Sequence, residues 1–85
     1  MQTAVVENEK VLDKATSDMV NFVVFIIFEF GEAYKMGKQK AYFYLKKYGG
    51  LDFIYRNWWG LHTDNPYYTT KAIFDVCKGN GGYLR

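Results

Sequence analysis

Apolar side chains dominate residues 19–30, where only Asn21 and Glu29 interrupt a run of mainly valine, isoleucine and phenylalanine. A helix that spans a membrane needs about 20 largely apolar residues, whereas a run of about 10–14 is typical of a core helix. The segment before the run carries mixed charge with several acids, unlike the basic start of a secretory signal. We therefore expect this stretch to lie in the core of a protein that does not associate with membranes.

The spacing of polar residues in the same stretch favours a helix over a strand, because a strand would have no clean polar face. On a helix, the predicted buried stripe has members three or four residues apart: Val20, Val23, Ile27, Phe30 and Tyr34. The polar side chains collect on the opposite side: Asp18, Asn21, Glu29 and Glu32. The pattern predicts a helix at residues 17–36, capped by Ser17 or Asp18 and ended by Gly37 in a left-handed conformation.

Two more helices follow from the same apolar spacing and from glycine stop signals. The second is predicted at residues 38–48 and ends at a Gly-Gly pair. Its predicted buried residues are Ala41, Tyr44, Leu45 and Tyr48. The third begins at Leu51 or Asp52 and ends at Gly60. Its predicted buried residues are Leu51, Ile54, Tyr55 and Trp58.

A fourth helix is predicted to begin at Thr69 or Thr70 and to end at Lys78, after a loop of sequence "LHTDNPYY". Its predicted buried residues are Ile73, Val76 and Cys77. The chain is accordingly divided into three parts: a loose N-terminal arm at residues 1–16, a helical domain at 17–78 and a flexible C-terminal tail at 79–85. The predicted fold class is all-α, a single compact domain of about four short helices.

The composition adds an expectation about the core. Of the 85 residues, 20% are aromatic, and a small domain needs side chains that bury a large area each. We therefore expect an aromatic-rich core. A single cysteine rules out a disulfide within the chain and, without a secretory signal, favours a reducing cytoplasm.

Catalytic and metal-binding patterns are weak in this sequence. The one histidine, His62, and the one cysteine, Cys77, are the candidates for a nucleophile–base pair. We interpret Cys77 as a core residue, and His62 and Thr63 as residues that pair backbone groups of a loop. The sequence contains neither a cluster of metal ligands nor a glycine-rich loop that leads into a helix. We expect no enzyme activity, no metal and no cofactor.

Basic residues concentrate in the middle of the chain, although the net charge is only +2. Residues 35–56 contain six lysines and arginines and a single acid. The segment Lys38–Lys47, with Tyr42 and Phe43 among its lysines, could follow a phosphate backbone and stack on bases. Nucleic-acid binding through this helix is the alternative hypothesis, since lysines opposite a buried face also serve solubility.

Several aromatic side chains do not fit the predicted buried faces. The candidates for a partner-binding surface are Phe25, Tyr42, Phe43 and Trp59. An exposed group of rings marks an interaction site when its members are contiguous. The sequence therefore predicts protein binding through these rings.

The order of residues from the second helix onward resembles a family of small bacterial proteins, domain-of-unknown-function family 3791. The resemblance rests on "LKKYGGLDFI", an aromatic pair, "LHT" and "YYTTKAI", with "FVVFIIFEF" upstream. The chain departs from the family pattern at Lys71-Ala72 and at its end, "CKGNGGYLR". The family is helical, has no established activity, and is often encoded beside a predicted toxin similar to ADP-ribosyltransferases. The resemblance implies a protein partner and an antitoxin-like role.

The leading hypothesis is a non-enzymatic, cytoplasmic protein-binding module with an antitoxin-like or inhibitor role in a toxin–antitoxin or phage-defence setting. Its partner would be an adjacent-gene toxin or a defence protein, and self-association is left open. The alternative is a nucleic-acid-binding protein that uses Lys38–Lys47. The third hypothesis is a small enzyme that uses His62 and Cys77.

Overall fold

The structure, a computed structural model, describes residues 14–84 and contains four α-helices. They are α1 (Lys14–Ala33), α2 (Lys38–Lys47), α3 (Gly50–Leu61) and α4 (Pro66–Gly79). Within the described residues there is no strand, so the all-α prediction is confirmed. Most of the predicted N-terminal arm, residues 1–13, lies outside the described part. Residues 14–16, also assigned to that arm, form the first turn of α1.

Helix α1 is the centre of the fold, because it packs against each of the other three helices. Consecutive helices also pack together, α2 on α3 and α3 on α4. The resulting core takes buried apolar residues from all four helices: Val23, Ile26, Phe30, Ala41, Leu45, Ile54, Ile73 and Cys77. In the described part of the chain, no helix combines the length and hydropathy needed to cross a membrane.

The buried side of α1 differs from the predicted stripe. The core face is centred on Val23, Ile26 and Phe30, whereas Val20 was expected inside and is 46% exposed. Packing of the other three helices accounts for this face, because they cover the side of α1 that carries Val23, Ile26 and Phe30. Val20 lies off this side of the helix and is largely in solvent.

The end of α1 uses a lysine where a glycine was predicted. Lys35 takes the left-handed conformation with φ of 60°, and the Met36 backbone N–H bonds the Gly31 carbonyl at 2.8 Å. The prediction for Gly37 is therefore wrong: Gly37 has φ of −65° and precedes α2 as its N-cap. A left-handed glycine is found instead at Gly49, which joins α2 to α3 with φ of 82°.

Helix α3 follows the prediction closely, with one exception. It begins one residue earlier than expected, at Gly50, and Ile54 is fully buried. Tyr55 was predicted to be buried and is exposed. The face that α3 turns to α1 and α4 is narrow, so a residue next to Ile54 along the chain lies outside it.

Helix α4 begins earlier than predicted, inside the expected loop. Asn65 caps it by accepting a hydrogen bond from the Tyr67 backbone N–H at 2.9 Å, and Pro66 occupies the first turn. Proline fits this position because its missing N–H would have no partner within the helix. The Asn-Pro pair that was interpreted as a turn is thus the start signal of α4.

The aromatic-rich core is confirmed as a cluster around Phe30. The Phe30 ring centroid lies 4.7 Å from that of Tyr34 and 5.8 Å from that of Tyr44. Tyr34 stacks in turn on Phe74, and Tyr44 packs against Tyr48. Phe30 is the ring that is completely buried, and its neighbours are partly covered. The cluster ties α1 to both α2 and α4.

The segment after α4, part of the predicted flexible tail at residues 79–85, contacts the rest of the fold. The Asn80 side chain donates to the Tyr48 carbonyl at 2.9 Å, and the Tyr44 hydroxyl donates to the Gly82 carbonyl. Gly82 itself is buried. A Cβ at this position would lie 2.8 Å from the Tyr48 ring, so glycine is what allows the approach. Residues 80–82 therefore close over the end of α2.

Burial, with smaller contributions from Cys77, Tyr48 and Tyr34, raises the pKa of Tyr44 to about 12. The ordinary value, about 10, applies to the unfolded chain. A group whose pKa is raised in the folded state stabilises that state fully below the unfolded pKa, and this contribution is lost as pH rises through the folded pKa. We expect the free energy of unfolding to fall between about pH 10 and 12.

Urea unfolding followed by circular dichroism at several alkaline pH values would measure this loss. The control is Tyr44→Phe, which cannot ionise and cannot donate to Gly82. Its stability should be lower at pH 7 and should fall less steeply between about pH 10 and 12. Identical slopes for the two chains would contradict the assignment to Tyr44.

Candidate functional site

The outer face of α1 carries a line of exposed apolar side chains. Val20, Val24 and Phe28 are each four residues apart, so they lie above one another on the helix surface. Val24 is 65% exposed and Phe28 is 51% exposed. Because these large apolar side chains are exposed and aligned on one face, they form one contiguous apolar patch.

Helix α2 completes this patch and turns it into a groove. Tyr42 and Phe43 are both exposed on the same side as Phe28, with their ring centroids 5.3 Å apart. The α1–α2 groove between them has a volume of about 880 Å³. Its lining residues are Val24, Phe25, Ile27, Phe28, Gly37, Lys38, Gln39, Tyr42 and Phe43. The site is therefore an open, largely apolar trough along two adjacent helices.

Three of the four rings predicted for partner binding meet in this groove. Phe25 comes from α1, and Tyr42 and Phe43 come from α2. The fourth, Trp59, lies on α3 and is 67% exposed, outside the groove lining.

A line of neighbouring rings nevertheless connects Trp59 with the groove. Trp59 packs against His62 with centroids 4.9 Å apart, and His62 lies 6.3 Å from Phe22. Phe22 is in turn 6.5 Å from Phe25, which lines the groove. A partner that covers the groove and extends past Phe25 would therefore reach Trp59 along this continuous line of rings.

The α1 wall of the groove was missed by the sequence analysis. Val24 and Phe28 were not proposed as site residues, and Val20 was assigned to the core. The signal that could have found them is their spacing, since a second apolar stripe at i, i+4 and i+8 lies beside the buried one. A helix with two apolar stripes either sits between two layers or presents one stripe to a partner.

The α2 side of the groove is positively charged. Lys38 is the only charged side chain in its lining, and Lys46 lies with its Nζ 6.0 Å from the centroid of the Tyr42 ring. Helix α2 contains four lysines and no acid. A cation at this distance from a ring is weakly attracted to its face, which keeps the charge beside the groove rather than in it.

His62 and Thr63 bond to the end of α3. His62 Nδ1 lies 2.5 Å from the Trp59 carbonyl oxygen, and the Thr63 hydroxyl donates to the Gly60 carbonyl at 2.9 Å. These carbonyls belong to the last turn of the helix, where no backbone N–H remains to bond them. Both side chains are exposed, and both hydrogen bonds lie on the surface.

His62 and Cys77 do not share a site. Cys77 is completely buried, and burial raises the pKa of its thiol, against a lowering contribution from the Gly50 backbone. His62 is exposed and packs on Phe22 and Trp59. Among residues 14–84 no hydrogen bond joins the pair, and no group of three or more potential ligands could hold a metal ion.

The segment that carries this geometry also carries a family signature. A sequence profile described as "Protein of unknown function (DUF3791)" matches residues 21–80, more than half of the chain. The chain belongs to DUF3791. No curated protein and no solved structure gives a significant match. Every residue that lines the groove falls within the part of the chain that matches DUF3791.

The structure of this DUF3791 chain has smaller hollows elsewhere. One lies along α3, at residues 53–61, with a volume of about 450 Å³. Another, of about 440 Å³, lies between Glu29 and Glu32 of α1 and the start of α4. Each has about half the volume of the groove. The α1–α2 groove is therefore the largest of these three candidate binding sites.

In this DUF3791 chain we expect His62→Ala to lower the free energy of unfolding by about 0.5–1.5 kcal/mol, the usual net contribution of one hydrogen bond. The effect is modest because the bond to the Trp59 carbonyl is exposed. Thermal unfolding followed by circular dichroism would measure it, with Asp64→Ala in the same loop as the control. An unchanged melting temperature for His62→Ala would contradict a structural role for this histidine.

Proposed function

We propose that the protein is a non-enzymatic protein-binding module whose partner places an apolar helix in the α1–α2 groove. The observation that carries this proposal is the convergence of exposed rings and aliphatic side chains from two helices in one trough of about 880 Å³. Contiguous apolar surface of this kind is costly to leave in water and marks interaction sites.

A helix is the occupant that the shape favours. The trough runs along two neighbouring helices, and its α1 wall repeats at one turn of helix, from Val24 to Phe28. A partner helix can pack its own ridges of side chains into such a wall. Helix-in-groove recognition uses anchors at i, i+3, i+4 and i+7, which supply apolar side chains along one face.

The charge of the groove favours a partner helix with an acidic edge. Lys38 stands in the lining, Lys46 flanks Tyr42, and α2 carries no acid to oppose them. Complementary charges at the rim raise the association rate and fix the orientation of the partner. The apolar floor, with Val24 and Phe28, would gain little from a phosphate backbone.

The proposed biological role is antitoxin-like or inhibitory, in a toxin–antitoxin or phage-defence setting. The partner is then an adjacent-gene toxin or a defence protein. Support for this role comes from the resemblance of the chain to small bacterial proteins encoded beside predicted toxins. By holding a helix of the partner in its groove, the module would block the surface that this helix belongs to.

Binding should depend on the rings and not on the lysines. With the product of the neighbouring gene as partner, we expect Phe28→Ala and Phe43→Ala each to weaken the complex at least about tenfold, the effect of losing about 1.4 kcal/mol. Trp59→Ala should weaken it as much if the partner follows the ring line past Phe25. Isothermal titration calorimetry with the purified proteins measures each dissociation constant.

Tyr68→Ala is the matched control, since this ring is exposed on α4, away from the groove. Its complex should be unchanged. Charge reversal at Lys38, Lys46 and Lys47 should slow association with a smaller effect on affinity at physiological salt. The opposite ranking would replace this proposal with nucleic-acid binding. In that case the ring substitutions would leave partner affinity unchanged, whereas the lysine variant would lose binding and also lose salt-dependent retention on RNA or DNA.

A further inference from the structure

Helix α1 itself has the chemistry that the groove favours in an occupant. Its outer stripe, Val20, Val24 and Phe28, is exposed and repeats every four residues. The helix carries three acids against a single lysine, whereas α2 carries four lysines and no acid. An exposed apolar stripe on an acidic helix matches the apolar lining and the basic α2 side of the groove. The α1 helix of a second copy therefore fits the groove.

The exposed apolar surface is concentrated on this one face. Of the twelve large apolar side chains that are exposed among the described residues, six lie on the α1 stripe or in the groove lining. These six are Val20, Val24, Phe25, Phe28, Tyr42 and Phe43. A two-fold dimer uses the same patch on both copies, so pairing this face with itself covers both sets at once.

The sizes of the stripe residues favour an antiparallel arrangement of the two α1 helices. With Val24 on the two-fold axis, Val20 of one copy lies opposite Phe28 of the other, and Val24 lies opposite its own equivalent. A small side chain then faces a large one at each end, which lets the facing layers interdigitate. In a parallel arrangement the two Phe28 rings would meet at one end, and the two Val20 side chains would leave a gap at the other.

The charges agree with the same register. Asp18 lies six residues from Val24 and Gly31 lies seven, so antiparallel pairing brings Asp18 of one copy level with Gly31 of the other. A Cβ at Gly31 would lie 3.7 Å from the backbone of the residue that caps α2, so α2 starts at this level, and Lys38 lines the groove there. Asp18 has a partner in its own copy, Lys14, but that ion pair is exposed and contributes little.

We propose that the protein is a homodimer in which two α1 helices pack antiparallel across a two-fold axis at Val24, each in the α1–α2 groove of the other copy. The two α1–α2 hairpins then form a four-helix bundle. A partner helix competes with the second copy for the groove, and this competition, unlike the dimer, rests on the function proposed above. The apparent affinity for the partner is reduced by the fraction of chains whose groove is free.

Light scattering during size-exclusion chromatography tests the dimer with the full chain alone. The chain has a mass of 10.0 kDa, and we expect twice that mass at micromolar concentration. Val24→Asp places two carboxylates at the axis and should give the monomer mass. Circular dichroism should show an intact fold for this variant, because Val24 is 65% exposed. Tyr68→Asp, at an exposed ring on α4, is the matched control and should keep the dimer mass.

Cysteine cross-linking tests the register without relying on Val24→Asp. A disulfide needs Cα atoms about 4.4–6.8 Å apart, so Val24→Cys should link two copies under mild oxidation. Cys77 is completely buried, so the unmodified chain should stay unlinked. Val20→Cys and Phe28→Cys should link when mixed but not singly, since two Val20 positions are about 12 Å apart along the antiparallel helices.

Three results would overturn the proposal. The chain could keep the monomer mass at every concentration up to the millimolar range. It could form a dimer that a folded Val24→Asp variant leaves unchanged, which would place the interface elsewhere. Finally, Val20→Cys and Phe28→Cys could each link singly and not in the mixture, which would make the two helices parallel.

The dimer and the proposed function fail in distinguishable ways. If the chain is monomeric but Phe28→Ala and Phe43→Ala still weaken the complex with the neighbouring-gene product, only the dimer is wrong. If Val24→Asp dissociates the dimer but the neighbouring-gene product binds the intact dimer without separating it, the groove is a self-association surface and the proposed function is wrong.

Discussion

Phe30→Ala will remove a large part of the free energy of unfolding. Phe30 is completely buried, and its ring stacks on Tyr44 and contacts Tyr34. Truncation of a buried phenylalanine costs about 3–5 kcal/mol, because transfer free energy is lost and a cavity remains. A chain of 85 residues has a total stability of about 4–13 kcal/mol. Urea unfolding followed by circular dichroism measures the change in midpoint.

Phe28→Ala is the matched control for this experiment, with the same residue type two positions away on the same helix. Phe28 is half exposed on the groove side, so its loss should cost only about 1 kcal/mol. In a binding assay Phe28→Ala should weaken the complex although it leaves the fold intact, because Phe28 carries the contact. Equal destabilisation by the two substitutions would show that the buried side of α1 has been placed wrongly.

Gly50→Ala will destabilise the fold by about 1–3 kcal/mol, the usual cost of adding a methyl group to a packed core. The new Cβ would lie 2.7 Å from both Cys77 Sγ and Leu45 Cδ2, and 3.3 Å from Ile73. Three side chains from two helices would have to move together. The gain in helix propensity, at most about 1 kcal/mol, does not offset that cost.

Gly60→Ala, at the other end of α3, provides the comparison. A Cβ there meets nothing within 4 Å, so only the helix propensity changes and stability should rise by up to about 1 kcal/mol. The two glycine variants should therefore shift the thermal midpoint in opposite directions. Shifts of the same sign would mean that Gly50 does not lie at the contact between α2, α3 and α4.

Much of the architecture could be predicted from the sequence because the stop signals are local. The Gly49-Gly50 pair separates α2 from α3 through a left-handed backbone that glycine adopts without strain. The narrow apolar stripe of α2 identified Ala41 and Leu45 as buried, which left Tyr42 and Phe43 outside. Two of the groove rings followed directly from that argument.

The orientation of α1 could not be predicted in the same way. Residues 19–30 are apolar almost all round the helix, so hydrophobicity alone does not distinguish the core side from the groove side. The choice is made by tertiary packing, since the other three helices cover the side of α1 that carries Val23, Ile26 and Phe30. Val24 and Phe28 were missed for this reason.

The start of α4 was missed for a different physical reason. Asn65 and Pro66 form a turn signal in an extended chain and a start signal in a helix, and local chemistry is identical in both cases. The outcome depends on whether the following residues bury a face. Thr69 and Thr70 do so, since both are buried against the core.

The buried position of Cys77 also makes its thiol a probe of how often the folded protein opens. A thiol that solvent does not reach, with its pKa raised by burial, reacts with an alkylating reagent only in molecules that have opened. Because Cys77 packs beside Gly50, where α2, α3 and α4 meet, its modification reports separation of the helices rather than fraying of an end. The rate of alkylation in dilute reagent therefore measures how often the native state opens. The measurement needs neither a mutation nor denaturant.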